Sequence, residues 1–295
     1  MKIIEGWCNS KWHFEKLTYN PRSATSSYSI LMKKIVFTFG ILLSSLSIFA
    51  QEQLYFNPIY VPHTDTTLVY TPKDYMMTSN RKYPVMFLLH GVGANFRQWN
   101  LIINVQRYAD AYGFIIVCPD GLKDSWYINS PRKAMSKFED FFFKDLMPTI
   151  KKKYRVEDEQ VFITGICSGG HGAFSLFSKH PEMFRAAGSS GGVLDLSVEA
   201  ANASLQNILG SNESDVFRKF SMIHNVGKMA ASQKEIIFDC GTEDVNYEAN
   251  NDFRRRCDEL KVKATYISQP GKHDKAYWQK AIKVQFDFFK RIIRE

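Results

Sequence analysis

The sequence predicts an α/β fold in which helices cover both faces of a mostly parallel, doubly wound sheet, and three observations carry that expectation. Strand-like and helix-like stretches alternate along the chain without a repeat period. Residues 84–90 (Pro-Val-Met-Phe-Leu-Leu-His) are almost uninterruptedly apolar, as a strand buried on both faces of a parallel sheet requires. Over 161–173 (Val-Phe-Ile-Thr-Gly-Ile-Cys-Ser-Gly-Gly-His-Gly-Ala) a β-branched and aromatic run turns, with almost no loop, into a glycine-rich helix start. Chemistry in such sheets gathers at the carboxyl ends of the strands, which is where functional residues are sought.

The chain has 295 residues, and residues 1–50 read as an N-terminal leader. Met32-Lys33-Lys34 gives a basic start, 35–50 is apolar with small residues toward its end, and Ala50-Gln51 offers a cut point, the pattern of a signal peptide over 32–50. The apolar run falls short of the roughly 20 residues of a membrane-spanning helix. Ile48, three before the cut, is larger than the residue preferred there, so a retained anchor stays open. Residues 1–31 are read as an over-extended start with Met32 the true first residue, or as a structureless extension. The expected destination is the periplasm or the exterior, with no membrane span after cleavage. Removing 1–50 takes six Lys/Arg and two Asp/Glu and lowers the formal charge from +8 to +4. Residues 51–295 suffice for a single domain with a substantial core.

Along that domain, strands are expected at 67–71, 84–90, 114–118, 161–166, 186–191, 234–240 and 263–268. Helices are expected at 97–112, 138–154, from Gly169 onward, at 246–260 and at 275–294. Pro119-Asp120-Gly121 stops the third strand, and 124–131 is a polar-aromatic loop. Residues 193–232 read as an insertion with amphipathic pieces near 198–208 and 216–229, and whether it forms a lid stays open.

The elbow at 161–173 needs tiny residues two before and two after its tip, so that the crossing backbones can pass. Gly165 and Gly169 stand at those offsets from Cys167. Ser168 is the rival, but its residue two before is the branched Ile166. Taken alone, the motif fits a buried thiol in a glycine-rich turn as well as a nucleophile. Three more strand ends carry suitable groups: His90-Gly91-Val92-Gly93, Asp244 and His273. Nucleophile, acid, histidine is the order of a hydrolase triad. A thiol at a helix head is favoured as thiolate, and a nearby histidine can take its proton. His273 would be that base and later the acid for the leaving group, with Asp244 holding its tautomer. The backbone N–H of Ser168, with one from Val92 or Gly93, would receive the oxyanion. His171, one helical turn past Cys167, either tunes the thiol or is buried behind it, and His63, His180 and His224 carry no assigned role.

Other chemistries find little support. Lys151–Lys153 and Arg254–Arg256 sit on expected helices as solvated faces rather than as a nucleic-acid groove. Past the leader Cys118, Cys167, Cys240 and Cys257 show no C-x-x-C spacing, and no H-x-x-x-H occurs, so neither metal nor cofactor is expected. Mostly free thiols are expected, with a Cys240–Cys257 bridge as the alternative.

From about Thr67 onward the chain resembles the esterase branch of the α/β-hydrolases, with esterase D, feruloyl and acetylxylan esterases and the mycolyltransferases. The matching stretches are Phe87-Leu88-Leu89-His90-Gly91, Pro119-Asp120-Gly121 with Ser125-Trp126-Tyr127, and Phe138-Glu139-Asp140. They continue with 165–173, Phe238-Asp239-Cys240-Gly241-Thr242-Glu243-Asp244 and His273-Asp274-Lys275-Ala276-Tyr277-Trp278. The resemblance implies an α/β-hydrolase fold with Asp244 and His273 in the triad. It also implies a substrate pocket near His90, Trp126, Tyr127 and Trp278. The family mostly has serine where Cys167 stands, although cysteine occupies the elbow of dienelactone hydrolases. The expected function is an exported carboxylic-ester hydrolase working through an acyl-enzyme. Its partner would be a small-molecule or polysaccharide ester, acetyl or feruloyl among them. A catalytically weak glycan- or partner-binding protein and an acyltransferase are the alternatives, and the oligomeric state stays open.

Overall fold

In the computed structural model, residues 51–210 and 214–294 are described, so the expected leader and cut site lie outside the described residues. Eight strands form one sheet in the order β1-β2-β4-β3-β5-β6-β7-β8. They are β1 (Gln51–Phe56), β2 (Asp65–Tyr70), β3 (Tyr83–Leu89), β4 (Ile115–Cys118), β5 (Val156–Gly165), β6 (Ala186–Ser190), β7 (Glu235–Gly241) and β8 (Ala264–Gln269). β1 and β2 run antiparallel to their neighbours, and β4, β3 and β5 to β8 are mutually parallel. This is the mostly parallel α/β-hydrolase sheet that the sequence predicts. β1 is the strand the sequence reading missed. Only Leu54 of its six residues is buried, so an edge strand of this kind shows no apolar period.

β3 shows why the run at 84–90 is continuous. Val85, Phe87 and Leu89 join one apolar cluster, with Phe142 and Phe174. Met86 and Leu88 join another across the sheet, with Trp99, Phe114 and Phe286. Alternate residues on a strand face opposite sides, and here both sides are packed.

The helix expected at 97–112 is two pieces, α1 (Gln98–Ile102) and α2 (Val105–Tyr112). Ile103 is extended between them, and the Asn104 side chain accepts from Arg107 N–H at 2.9 Å as the cap of α2. Gly113 closes α2 in the left-handed region at φ 71°. The next helix begins as α3 (Phe138–Phe141), widens through a π turn over Phe142–Leu146 and continues as α4 (Met147–Lys153). Pro148 stands just past the widened turn, where its missing N–H is tolerated.

α5 (Ser168–Lys179) follows the elbow, and α9 (Tyr247–Glu259) and α10 (Lys275–Arg294) close the chain. The insertion forms short helices: α6 (Ala203–Leu209), α7 (Ser214–Phe220), α8 (Val226–Ser232) and 3-10 turns at Leu196–Glu199 and Met222–His224. The two longer amphipathic pieces expected there are therefore broken, at Asn202, which caps α6, and at Ser221. Trp126, Ile128, Val193, Leu196, Leu205, Ile208, Leu209 and Phe217 make a third apolar cluster, against which Val92 and Cys167 pack half-buried. All four cysteines among the described residues are free, so the Cys240–Cys257 bridge does not form. No helix among the described residues is long and apolar enough to cross a membrane.

Candidate active site

Where β5 passes into α5, Cys167 takes φ 55° and ψ −124°, a backbone conformation a side-chain-bearing residue adopts at a cost of about 1–3 kcal/mol. A Cβ at Gly165 would collide with the backbone of Gly169, and one at Gly169 with the carbonyls of Leu89 and His90. Both glycines are thus required by close backbone approach, and they frame Cys167. Ser168 is buried and already lies in the helix, so the tip of the elbow is Cys167. The N–H of Cys167 donates to Ser190 O at 3.2 Å, tying the tip to the end of β6.

His273 reaches this tip from the loop after β8. Its Nδ1–H donates to Asp244 Oδ2 at 2.8 Å, and its ring is hydrogen-bonded to the Cys167 side chain. The carboxyl of Asp244 is fully buried, and its second oxygen accepts from Asn246 N–H at 2.8 Å. Burial pulls the His273 pKa down, but the hydrogen bonds to Asp244 and Cys167 and the charges of both outweigh it and raise the pKa to about 10. The imidazole therefore rests as a cation at neutral pH. Trp278 lies half-buried with its ring edge-on to His273, centroids 5.1 Å apart.

The loop after β3 runs beside the elbow: a Cβ at Gly91 would stand 3.3 Å from the Cβ of Cys167. Gln98 anchors this loop by accepting Gly91 N–H at Oε1, 2.8 Å. Of the two expected oxyanion donors here, Gly93 is committed, since its N–H donates to Lys123 O at 2.9 Å. Among the described residues no acceptor takes the N–H of Val92 or that of Ser168.

Three residues expected near the substrate pocket are buried. His90, Trp126 and Tyr127 are each 2% exposed. His90 donates Nδ1–H to Gly91 O at 2.8 Å and packs its Nε2 against Asp120 O, while burial pushes its pKa down to about 4 and keeps the ring neutral. Tyr127 donates its hydroxyl to His90 O at 2.8 Å. Both therefore brace the backbone of the loop after β3. Trp126 donates Nε1–H to Ser204 Oγ at 2.9 Å and anchors the insertion. His171 is likewise buried and bonded through Nε2 to Phe220 O at 3.0 Å, so it ties α5 to α7.

A buried acid behind the elbow escaped the sequence reading. Asp239 accepts from Ser190 Oγ at 2.6 Å and from Gln285 Nε2 at 2.7 Å. Burial, with the Asp244 charge nearby, pushes its pKa up to about 6. Ser190 is the residue whose carbonyl holds Cys167 N–H, so Asp239 acts on the tip through one intermediary. The available signal was a carboxylate inside the apolar run of β7, since a charged group in a core strand needs buried partners.

Residues 61–289 match the sequence model of the esterase family described as "Putative esterase". Among curated proteins, an esterase of Mycobacterium tuberculosis strain H37Rv is 32% identical over 134 residues, 43% of this chain and 29% of its own. The chain thus spans under a third of that relative's length. The S-formylglutathione hydrolase of Mus musculus is 23% identical over 236 residues, 71% of this chain and 82% of its own. Among solved structures, a ferulic acid esterase aligns with a TM-score of 0.72 at 25% identity, over 82% of this chain and 98% of that one. Because the family match runs through the elbow, the acid and the histidine alike and takes in well over half of the chain, the protein belongs to the esterase family.

Proposed function

We propose that the protein is an exported carboxylic-ester hydrolase that works through an acyl-enzyme on Cys167, His273 and Asp244. The observation that carries this reading is the left-handed Cys167 tip hydrogen-bonded to a histidine that Asp244 holds at 2.8 Å. The Sγ thiolate attacks the acyl carbon, and the resulting oxyanion is received by the N–H groups of Ser168 and Val92. His273 gives its Nε2 proton to the departing alkoxide as the C–O bond breaks, leaving a thioester and an alcohol. Acylation takes Cys167 Sγ into the thioester, so Asp244 alone still holds the Nδ1 proton of His273. The neutral ring can then accept a proton from water as that water attacks the thioester. Collapse of the second adduct expels the Cys167 thiolate and releases the carboxylic acid.

The extracellular esters that fit are acetyl or feruloyl groups on polysaccharide, supported by the likeness to a ferulic acid esterase. Export to the periplasm or exterior is supported by the signal-peptide pattern at 32–50.

Hydrolysis of a p-nitrophenyl ester panel and methyl ferulate by the protein, beside Cys167→Ala and Cys167→Ser, tests this reading. Activity should vanish in Cys167→Ala and persist in Cys167→Ser. Aryl esters should outrun alkyl esters in the parent, because a tetrahedral adduct expels a thiolate more readily than an alkoxide and returns to substrate when the leaving group is poor. Activity unchanged in Cys167→Ala would remove Cys167 as nucleophile. A parent that is inactive on every ester while Cys167→Ser is active would favour the glycan-binding alternative.

A further inference from the structure

A cavity of about 410 Å³ opens between the 122–125 loop, the 133–136 loop and α6, and no triad residue lines it. Its size is that of a small-molecule site. Leu122 and Ile208 are buried and give it an apolar floor, while Lys123, Lys133, His63 and Asn207 stand exposed at its rim. Among the described residues neither lysine ammonium is in an ion pair. One carboxylate, Asp124, shares the lining, which leaves two ammonium groups against one carboxylate.

We infer that this cavity binds a carboxylated sugar unit, so that the ester-bearing polymer is an acidic polysaccharide. The apolar floor suits the face of a sugar ring, the asparagine at the rim its hydroxyls, and the two ammonium groups its carboxylate. The inference rests on the reading of the protein as a polysaccharide esterase. The loop over 121–128 links the cavity to the elbow. At one end Leu122 lines the cavity and the Lys123 carbonyl holds Gly93 of the loop beside Cys167. Further along, Trp126 packs in the cluster that Cys167 and Val92 adjoin. A polymer seated in the cavity is therefore held beside the loop that would receive the oxyanion.

Calorimetric titration of the full chain carrying Cys167→Ala tests the inference, with trigalacturonate, a neutral trisaccharide and inorganic phosphate as probes. Trigalacturonate should bind, and both other probes should bind at least tenfold more weakly. Adding Lys123→Gln and Lys133→Gln together should weaken trigalacturonate by about tenfold, as two exposed charge contacts imply, and leave the neutral sugar unchanged. Lys133→Arg, which keeps the charge, should retain binding, and melting curves check that each variant is folded. Trigalacturonate that binds no better than the neutral sugar or phosphate, or equally well to the double glutamine variant, overturns the inference. Charge-dependent sugar binding by a protein whose parent hydrolyses no ester would keep the site and reject the hydrolase reading, so the two failures are distinct.

Discussion

At Cys167 the side chain faces a histidine whose other nitrogen is committed to Asp244 at 2.8 Å. That arrangement sets a pH window. The folded His273 holds its proton up to about 10, against 6.5 ordinarily, so its contribution to stability is full below about 6.5 and lost as pH rises through about 10. The melting temperature of the parent should fall between pH 8 and 10.5, and Asp244→Asn should flatten that fall; equal slopes in both proteins would contradict the assignment. The same substitution should lower kcat by on the order of 10⁴-fold while the fold is kept, because an amide no longer stabilises the imidazolium. Cys167, Asp244 and His273 were legible in the sequence because each follows a strand-like run and their order is that of a triad. Residue type and spacing do not say which side of a loop a ring faces, and here burial turns His90, Trp126 and Tyr127 inward.

Elements position these side chains through contacts that leave no room for a methyl group. Gly165 ends β5 and Gly169 lies in the first turn of α5, and each meets backbone rather than a yielding side chain. Gly169→Ala should therefore cost more than about 3 kcal/mol in chemical denaturation or leave the protein insoluble, whereas Gly227→Ala, with open space around it, should change little. A tolerated Gly169→Ala would mean the elbow is looser than its geometry. Strands β3, β4 and β7 and the second half of β5 were legible because apolar runs bounded by turn residues have one simple meaning in an alternating chain, whereas the polar start of β5 at 156–160 was not. β1, the break at Ile103 and the π turn were not. The first shows one buried residue in six, the second depends on a single capping asparagine inside a helical pattern, and the third keeps helical periodicity on both sides. Asp239 was hidden for another reason: its partners Ser190 and Gln285 come from distant parts of the chain.

Among the described residues the buried apolar side chains separate into two large clusters on the faces of the sheet and a smaller third one that includes the insertion. The third is built from short helices and turns, so it should open more easily than the sheet. Hydrogen exchange should show amides in 196–210 and 214–232 exchanging at least tenfold faster than those of β3 and β5, and equal protection would make the insertion one cooperative unit with the sheet. Its boundaries were legible from irregular punctuation, but its packing against Trp126 and Val92 rests on contacts that no local pattern encodes. The placement of the thiols has a practical side as well. Cys118, Cys240 and Cys257 are sealed inside the packing, and burial drives the thiol pKa of each upward, to about 12 for Cys257 and higher for the other two. A chain beginning at Gln51 thus offers one half-buried thiol to an electrophile. A mild iodoacetamide or disulfide dye should attach once per molecule, at Cys167 by peptide mapping, giving a direct head-count of intact centres in any preparation and a foothold for a covalent inhibitor.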